Sequence, residues 1–263
     1  MRCIFCKNDS TDSVSVEHVI PESLGNTKVV LPKGAVCDSC NNYFASKVEK
    51  FVLESDEFRH LRSNQIIKNK KGKVQEIKLL IDGEAIRARR TGLLEFQIHP
   101  EDFESFKRTS SKEERQVMIP IGGEPPSAHH MGRFLAKMGL ELLAIYWSGC
   151  EGWNNYIVEH EGLDAVRKFA RSPSKGEVWE FTKRRIYDED SSHVSSEGQK
   201  GQVLYECDIL TIQYSEACEL FFIIAIFGME YAINLGGNGM DGYKKWLEDN
   251  DYISPLSRKP FIT

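Results

Sequence analysis

Cys3-Ile4-Phe5-Cys6, Ser15-Val16-Glu17-His18-Val19-Ile20-Pro21-Glu22-Ser23-Leu24-Gly25-Asn26 and Val36-Cys37-Asp38-Ser39-Cys40-Asn41-Asn42 stand in this order at the front of a 263-residue chain. A C-x-x-C pair puts two thiolates on one tight knuckle, and two such pairs make the tetrahedral sulfur site that zinc prefers. The spacing therefore predicts a structural zinc held by Cys3, Cys6, Cys37 and Cys40. Residues 7 to 36 form a longer insert than the roughly 15–20 residues common between zinc knuckles, so something is threaded through the gap. Two disulfides are the other use of four cysteines. The opening MRCIFCKNDS has no apolar signal segment, so a reducing, cytoplasmic setting is expected, and with it zinc.

A segment of about 55 residues buries little apolar surface by itself. Structural zinc contributes on the order of 10–16 kcal/mol in small domains and offsets that deficit. Four thiolates close the shell, so chemistry has to be carried by other groups. Within the insert, His18 is expected to be mostly neutral at pH 7 and able to take a proton from water. Glu17 offers hard oxygens suited to Mg²⁺ or Mn²⁺. On a straight strand the two side chains would face opposite ways, so a bend or hairpin is expected there. After Cys40, the run Asn41 to Ser55 reads as a helix, with Phe44, Val48, Phe51 and Val52 on one face. At its first turn Asn41 can either cap the helix or bind a metal, and His18 can equally be a plain surface histidine.

With its flanking knuckles, E-H-V-I-P-E-S-L-G closed by V-C-D-S-C-N-N resembles the HNH endonucleases, the ββα-metal fold in its four-cysteine zinc form. The likeness covers roughly residues 1 to 54. It implies that Glu17 and Asn41 hold a catalytic Mg²⁺ or Mn²⁺, with Asn42 competing for the role of Asn41, and that His18 is the general base. The reaction implied is single-metal hydrolysis of a phosphodiester, leaving 5′-phosphate and 3′-hydroxyl ends. The family's middle Asn has no counterpart in VVLPKGAV, and Asn26 is a weak substitute. HNH modules fused to larger domains often serve in bacterial defence or in mobile elements.

The rest of the chain has room for one larger domain. An apolar content of 41% marks a globular protein. The longest apolar run, 220–227, is far short of the about 20 residues that span a membrane, so no membrane partner is expected. The fold class expected is α+β: an N-terminal zinc-stabilised module over 1–58, then an α+β domain with an antiparallel sheet over 59–263, with a sub-boundary at the breaker cluster 122–127. Val74–Ile81 and Glu84–Arg90 around Asp82-Gly83 read as a hairpin, with third and fourth strands at LLEFQIH and QVMIPI. A short helix over Glu101–Lys107 and the loop TSSKEE fall between those two. Met131 to Trp147 reads as the strongest helix, led by His129 and His130 at its solvent-facing start, and a further helix runs near Leu163–Arg171. EVWEFTKRRIY, QVLYECDILTIQY, ELFFIIAIFG and EYAINLGG read as strands, the third of them central. DGYKKWLED reads as a last short helix before a loose tail. Cys150, Cys207 and Cys218 are expected as buried free thiols, and the four tryptophans as core.

The net charge of −5 is unevenly spread. Residues 61–90 carry nine basic side chains against three acidic ones. Either this is a phosphate-contacting strip, with Lys68, Lys70, Lys71, Lys73, Arg87, Arg89 and Arg90 as the contacts, or it is a solvated hairpin. The expected partner is DNA, double-stranded favoured. The larger domain is left to dimerisation, targeting or a regulatory protein. The reading from another class is a catalytically silent zinc module that grips nucleic acid or a partner.

Overall fold

In the computed structural model the described residues are 1–69, 71–92, 94–109, 116–188, 193–194, 200–201, 204–213 and 218–258. Lys70, most of the TSSKEE loop, much of the 188–201 linker and the last five residues lie outside them. The chain forms two compact units. One comprises Met1–Ile20, Thr27–Glu49 and Ala128–Thr263; the other comprises Pro21–Asn26 and Lys50–Ser127. Both are α+β, and both sheets are antiparallel.

Helix α1 (Asp38–Phe44) leads through a π-helical turn (Ala45–Glu49) into α2 (Lys50–Leu53). Phe44, Val48 and Val52 are buried as expected, but Phe51 is half-exposed. The extra residue of a π turn changes the helical phase, and the position three after Val48 rotates out of the buried stripe. The helix expected to stop at Ser55 is followed at once by another, α3 (Asp56–Asn64). Ser55 caps it by accepting from the Phe58 N–H, and Asp56 and Glu57 sit at the positive end of its dipole.

In the second unit, β1 (Glu76–Ile81) and β2 (Glu84–Arg90) pair through an Asp82-Gly83 turn whose φ angles of 49° and 87° suit a tight hairpin. Strand β3 (Phe96–Ile98) adds to β2, and β4 (Val117–Met118) adds to β1, giving the order β3-β2-β1-β4. Between these two strands a 3₁₀ turn (Pro100–Asp102) opens α4 (Phe103–Thr109). Ile77, Leu79, Ile81, Ile86 and Ala88 make the core of this unit. The breaker segment 122–124 lies against α3: His60 Nδ1 is 2.6 Å from the Gly122 carbonyl, and a Cβ on Gly123 would fall 2.6 Å from the Asp56 Cβ.

The C-terminal part of the first unit is built on α5 (Ala128–Trp147). From Met131 to Ala144 every residue is buried, including Arg133, Lys137 and Glu141, so α5 is a central helix. Helices α6 (Trp153–Glu159), which the sequence did not signal, and α7 (Asp164–Arg171) follow. The sheet here consists of β5 (Phe181–Arg185), β8 (Tyr205–Gln213), β9 (Cys218–Ile226) and β10 (Met229–Asn234), in the order β5-β10-β9-β8; β6 (His193–Val194) and β7 (Lys200–Gly201) form a separate pair. One face packs Phe221, Ile223 and Ala225 against Tyr243 and Leu247 of α8 (Asp241–Asp249). The other approaches α5 so closely that a Cβ on Gly139 would meet Phe222 at 2.8 Å. Cys150 and Cys218 are exposed and Cys207 is half-buried, correcting the expectation of buried thiols. Of the tryptophans, Trp179 is buried and the other three are half-buried.

Arg87 ties β2 to the start of α4 through Asp102 at 2.8 Å and Glu101 at 2.9 Å. The Arg87 guanidinium holds the Asp102 carboxyl down at about 2, against an ordinary 3.8. A carboxyl depressed in the folded state stabilises fully above its unfolded value and loses that contribution as pH falls through the folded value. Asp102→Asn should therefore lower the denaturation midpoint of this unit at pH 7, with the difference from wild type shrinking between about pH 4 and pH 2. An equal difference at both pH values in urea titrations would contradict this role.

Candidate functional site

The first knuckle is a tight turn. The Cys3 N–H donates to the Asn8 carbonyl at 2.9 Å, the Lys7 N–H donates to the Cys3 carbonyl at 2.9 Å, and Lys7 takes φ 61°. The second knuckle opens α1, where Cys37 is the N-cap and its sulfur accepts the Cys40 N–H at 3.4 Å. Capping thus falls to Cys37 and not to Asn41. Gly34, at φ 85°, turns the chain into this knuckle, and a Cβ there would lie 3.0 Å from the Ser10 carbonyl. The Ile4 N–H donates to the Ala35 carbonyl at 2.9 Å and stitches the two knuckles together.

All four sulfurs lie within 4.8 Å of one another, and Cys6 Sγ is 3.7 Å from Cys37 Sγ. A tetrahedron with Zn–S bonds of about 2.3 Å has edges of about 3.8 Å, whereas a disulfide would need about 2.05 Å. The cysteines are free and their donor set fits zinc. Hydrogen bonding from Cys40 pulls the Cys3 thiol down to about 5, and the same contact pushes Cys40 up. Two arginines of α7 stand at the knuckles: Arg171, whose pKa is raised by the charge of the neighbouring Cys40 thiol, lies 3.8 Å from the centre of the Tyr43 ring, and Arg167 Nε donates to the Ile4 carbonyl at 2.6 Å. Four thiolates on a divalent ion leave two negative charges, which these guanidiniums face.

The insert returns on itself as a short ladder. His18 bridges Val30 in antiparallel fashion, the Leu31 N–H donates to the Glu17 carbonyl at 2.9 Å, and the Val19 N–H donates to the Val29 carbonyl at 3.2 Å. The chain then bends at Val19 and Ile20. Glu17 is 7% exposed while His18 is half-buried. The Glu17 carboxylate meets Lys137 of α5, Oε1 to Nζ, at 2.6 Å. The same ammonium is 2.9 Å from Glu49 and 2.9 Å from Glu141. Burial raises the Glu17 carboxyl above its ordinary value, and the Lys137 charge opposes that rise. Asn41 lies in α1, half-buried, with its N–H donating to the Cys37 carbonyl at 2.9 Å; Asn42 is exposed. Opposite His18 stands Val30, not an asparagine, and Asn26 is buried.

Lys137, Glu49 and Glu141 were not singled out from sequence. The signal that could have found two of them is a Lys and a Glu four residues apart inside an otherwise apolar helix.

The basic strip divides in two. Lys68, Lys71 and Lys73 are exposed around a turn closed by the Asn69 N–H donating to the Lys73 carbonyl at 2.9 Å, and Lys70 lies outside the described residues. Arg87 is committed to Asp102 and Glu101, Arg89 to Glu76 at 3.1 Å, and Arg90 to the Asn64 carbonyl at 3.2 Å and the Phe96 ring.

The family profile of HNH endonuclease matches residues 3–56, about a fifth of the chain. No curated protein and no solved structure returns a match. The matched segment contains the cysteine cluster, the Glu17-His18 ladder and α1, and the family points to nuclease-type activity on nucleic acid. Among the described residues no helix is long and apolar enough to cross a membrane.

Purified protein should carry one zinc per chain, and Cys37→Ser should lose it and unfold the knuckles, because one thiolate in four is gone. Metal content by mass spectrometry that is unchanged in the variant would contradict a zinc site here.

Proposed function

We propose that residues 3–56 form the hydrolytic site of a metal-dependent endonuclease that cuts phosphodiester bonds, most readily in double-stranded DNA. The observation that supports it best is the coincidence, in one matched segment, of the four-sulfur cluster with a ladder that carries an acid and a histidine side by side. Hard oxygens of Glu17 and Asn41, with Asn42 as the neighbouring choice, suit Mg²⁺ or Mn²⁺. When bound, such an ion supplies Lewis-acid stabilisation of the leaving oxygen. The protein's own part is to hold and move a proton. His18, half-buried at the middle of the ladder just before the bend at Val19 and Ile20, takes it from the attacking water. The exposed lysines at 68, 71 and 73 suit phosphate contact better than the arginines of β2, whose guanidiniums already have acidic, carbonyl or aromatic partners.

A second reading, a zinc module that holds nucleic acid without cutting it, is favoured by the Lys137 contact, since one oxygen of Glu17 is already engaged. Plasmid nicking with Mg²⁺ or Mn²⁺ separates the two. His18→Ala should lose at least a hundredfold in rate, the usual range for a general base being about 10²–10⁴; equal nicking by wild type and variant would remove His18 from the mechanism. Replacing Lys68, Lys71 and Lys73 together with Ala should weaken DNA binding at 50 mM salt and reduce the slope of log affinity against log salt by about two to three, each phosphate contact contributing about 0.9. An unchanged slope would mean that these lysines touch no phosphate.

A further inference from the structure

We infer that Lys137 is a positioning residue for Glu17, so that a helix outside the matched segment completes the hydrolytic site; the inference rests on the role proposed above for Glu17. An ammonium has three protons to donate. Lys137 has three acceptors at bonding distance: Glu17 Oε1 at 2.6 Å, Glu49 Oε1 at 2.9 Å and Glu141 Oε2 at 2.9 Å. They come from three places in the first unit: the ladder, the π turn that follows the second knuckle, and the next turn of α5 itself. Lys137 is 0% exposed, so water does not compete for those protons.

The arrangement fixes one oxygen of Glu17 and thereby the plane and direction of the whole carboxylate. A carboxylate on a free strand end would sample several rotamers, and each would present its second oxygen differently. The π turn belongs to the same device. It sets the helical phase at Glu49, whose carboxylate reaches Lys137 while Phe44 and Val48 stay in the core. Three carboxyl groups gathered on one buried ammonium are a poor choice for stability alone. It is a suitable choice for a site that has to hold one oxygen of Glu17 in a fixed direction. Glu141 is the clearest sign of that cost, since its Oε1 is buried with no hydrogen bond.

The test is a binding cycle in the full-length zinc-loaded protein, read by Mn²⁺ titration with electron paramagnetic resonance and thus independent of turnover. Outer-shell partners of metal ligands typically govern about 10–100-fold in affinity. Lys137→Met should weaken Mn²⁺ binding by that factor, and in a Glu17→Gln background it should add nothing, because it acts only through Glu17. Removing the ammonium from among three carboxylates endangers folding, so the charge-balanced pair Lys137→Gln with Glu141→Gln is measured alongside, and each variant is scored only with one zinc per chain and a wild-type circular dichroism spectrum. The charge-balanced pair should show the same weakening and the same lack of additivity. Wild-type Mn²⁺ affinity in either folded variant, or losses that add to that of Glu17→Gln, would overturn the inference. Failure of the nuclease reading looks different: Mn²⁺ would still bind in a Lys137-dependent way while His18→Ala left nicking unchanged.

Discussion

Four sulfurs drawn within 4.8 Å of one another are the constraint on which the N-terminal site depends. They bring residue 3 beside residue 40 and so force everything between to leave and return within a small space. The return is the ladder of 17–19 on 29–31, and the exit from the second knuckle is α1, with the Cys37 sulfur as its cap. One residue type thus does two jobs at Cys37. Four thiolates would close the shell of a zinc ion held there, and on the proposal above the chemistry then falls to Glu17, His18 and Asn41.

The second organising feature is the ion cluster on α5. A buried ammonium held by three carboxylates is not a cheap way to stabilise a core, because desolvation of the charges consumes most of what their attraction returns. Deleting one partner, in contrast, typically costs about 3–5 kcal/mol, so such a cluster makes the arrangement specific even where it adds little net stability. Here the specificity falls on Glu17. The arginines of α7 act in the same spirit, with Arg171 on the Tyr43 ring beside the second knuckle and Arg167 on the carbonyl inside the first. Both clusters draw on residues 128–171, which explains why residues 1–20 and 27–49, most of the matched segment, share a compact unit with a stretch so far away in sequence.

Much of this was legible in the sequence, for identifiable reasons. C-x-x-C spacing is a local geometric statement, and so is Asp-Gly between alternating strands; both carry over directly to the cysteine cluster and to the Asp82-Gly83 hairpin. ELFFIIAIF, apolar on both faces, is the inner strand β9. What escaped depends on distant partners or on backbone phase. The π turn that exposes Phe51 is not encoded in a simple apolar period. Helix α3 escaped because its cap, Ser55, reads equally well as the end of the preceding helix. Lys137 looked like one polar residue on an amphipathic helix, since nothing near it in sequence says that two glutamates from the first fifty residues will surround it. Arg87 and Arg89 looked available for phosphate because their acidic partners sit on other elements.

The central claim, that the Glu17-His18 ladder presents a divalent-ion site next to a zinc-clamped scaffold, is tested most directly by anomalous diffraction from crystals grown with Mn²⁺ and recorded at both the zinc and manganese edges. The account predicts a zinc peak among the four sulfurs and a separate manganese peak bonded to the Glu17 carboxylate, on the side away from Lys137 and within one water of the His18 ring. A zinc peak alone, with Lys137 remaining the sole cation at Glu17 under saturating Mn²⁺, would contradict it.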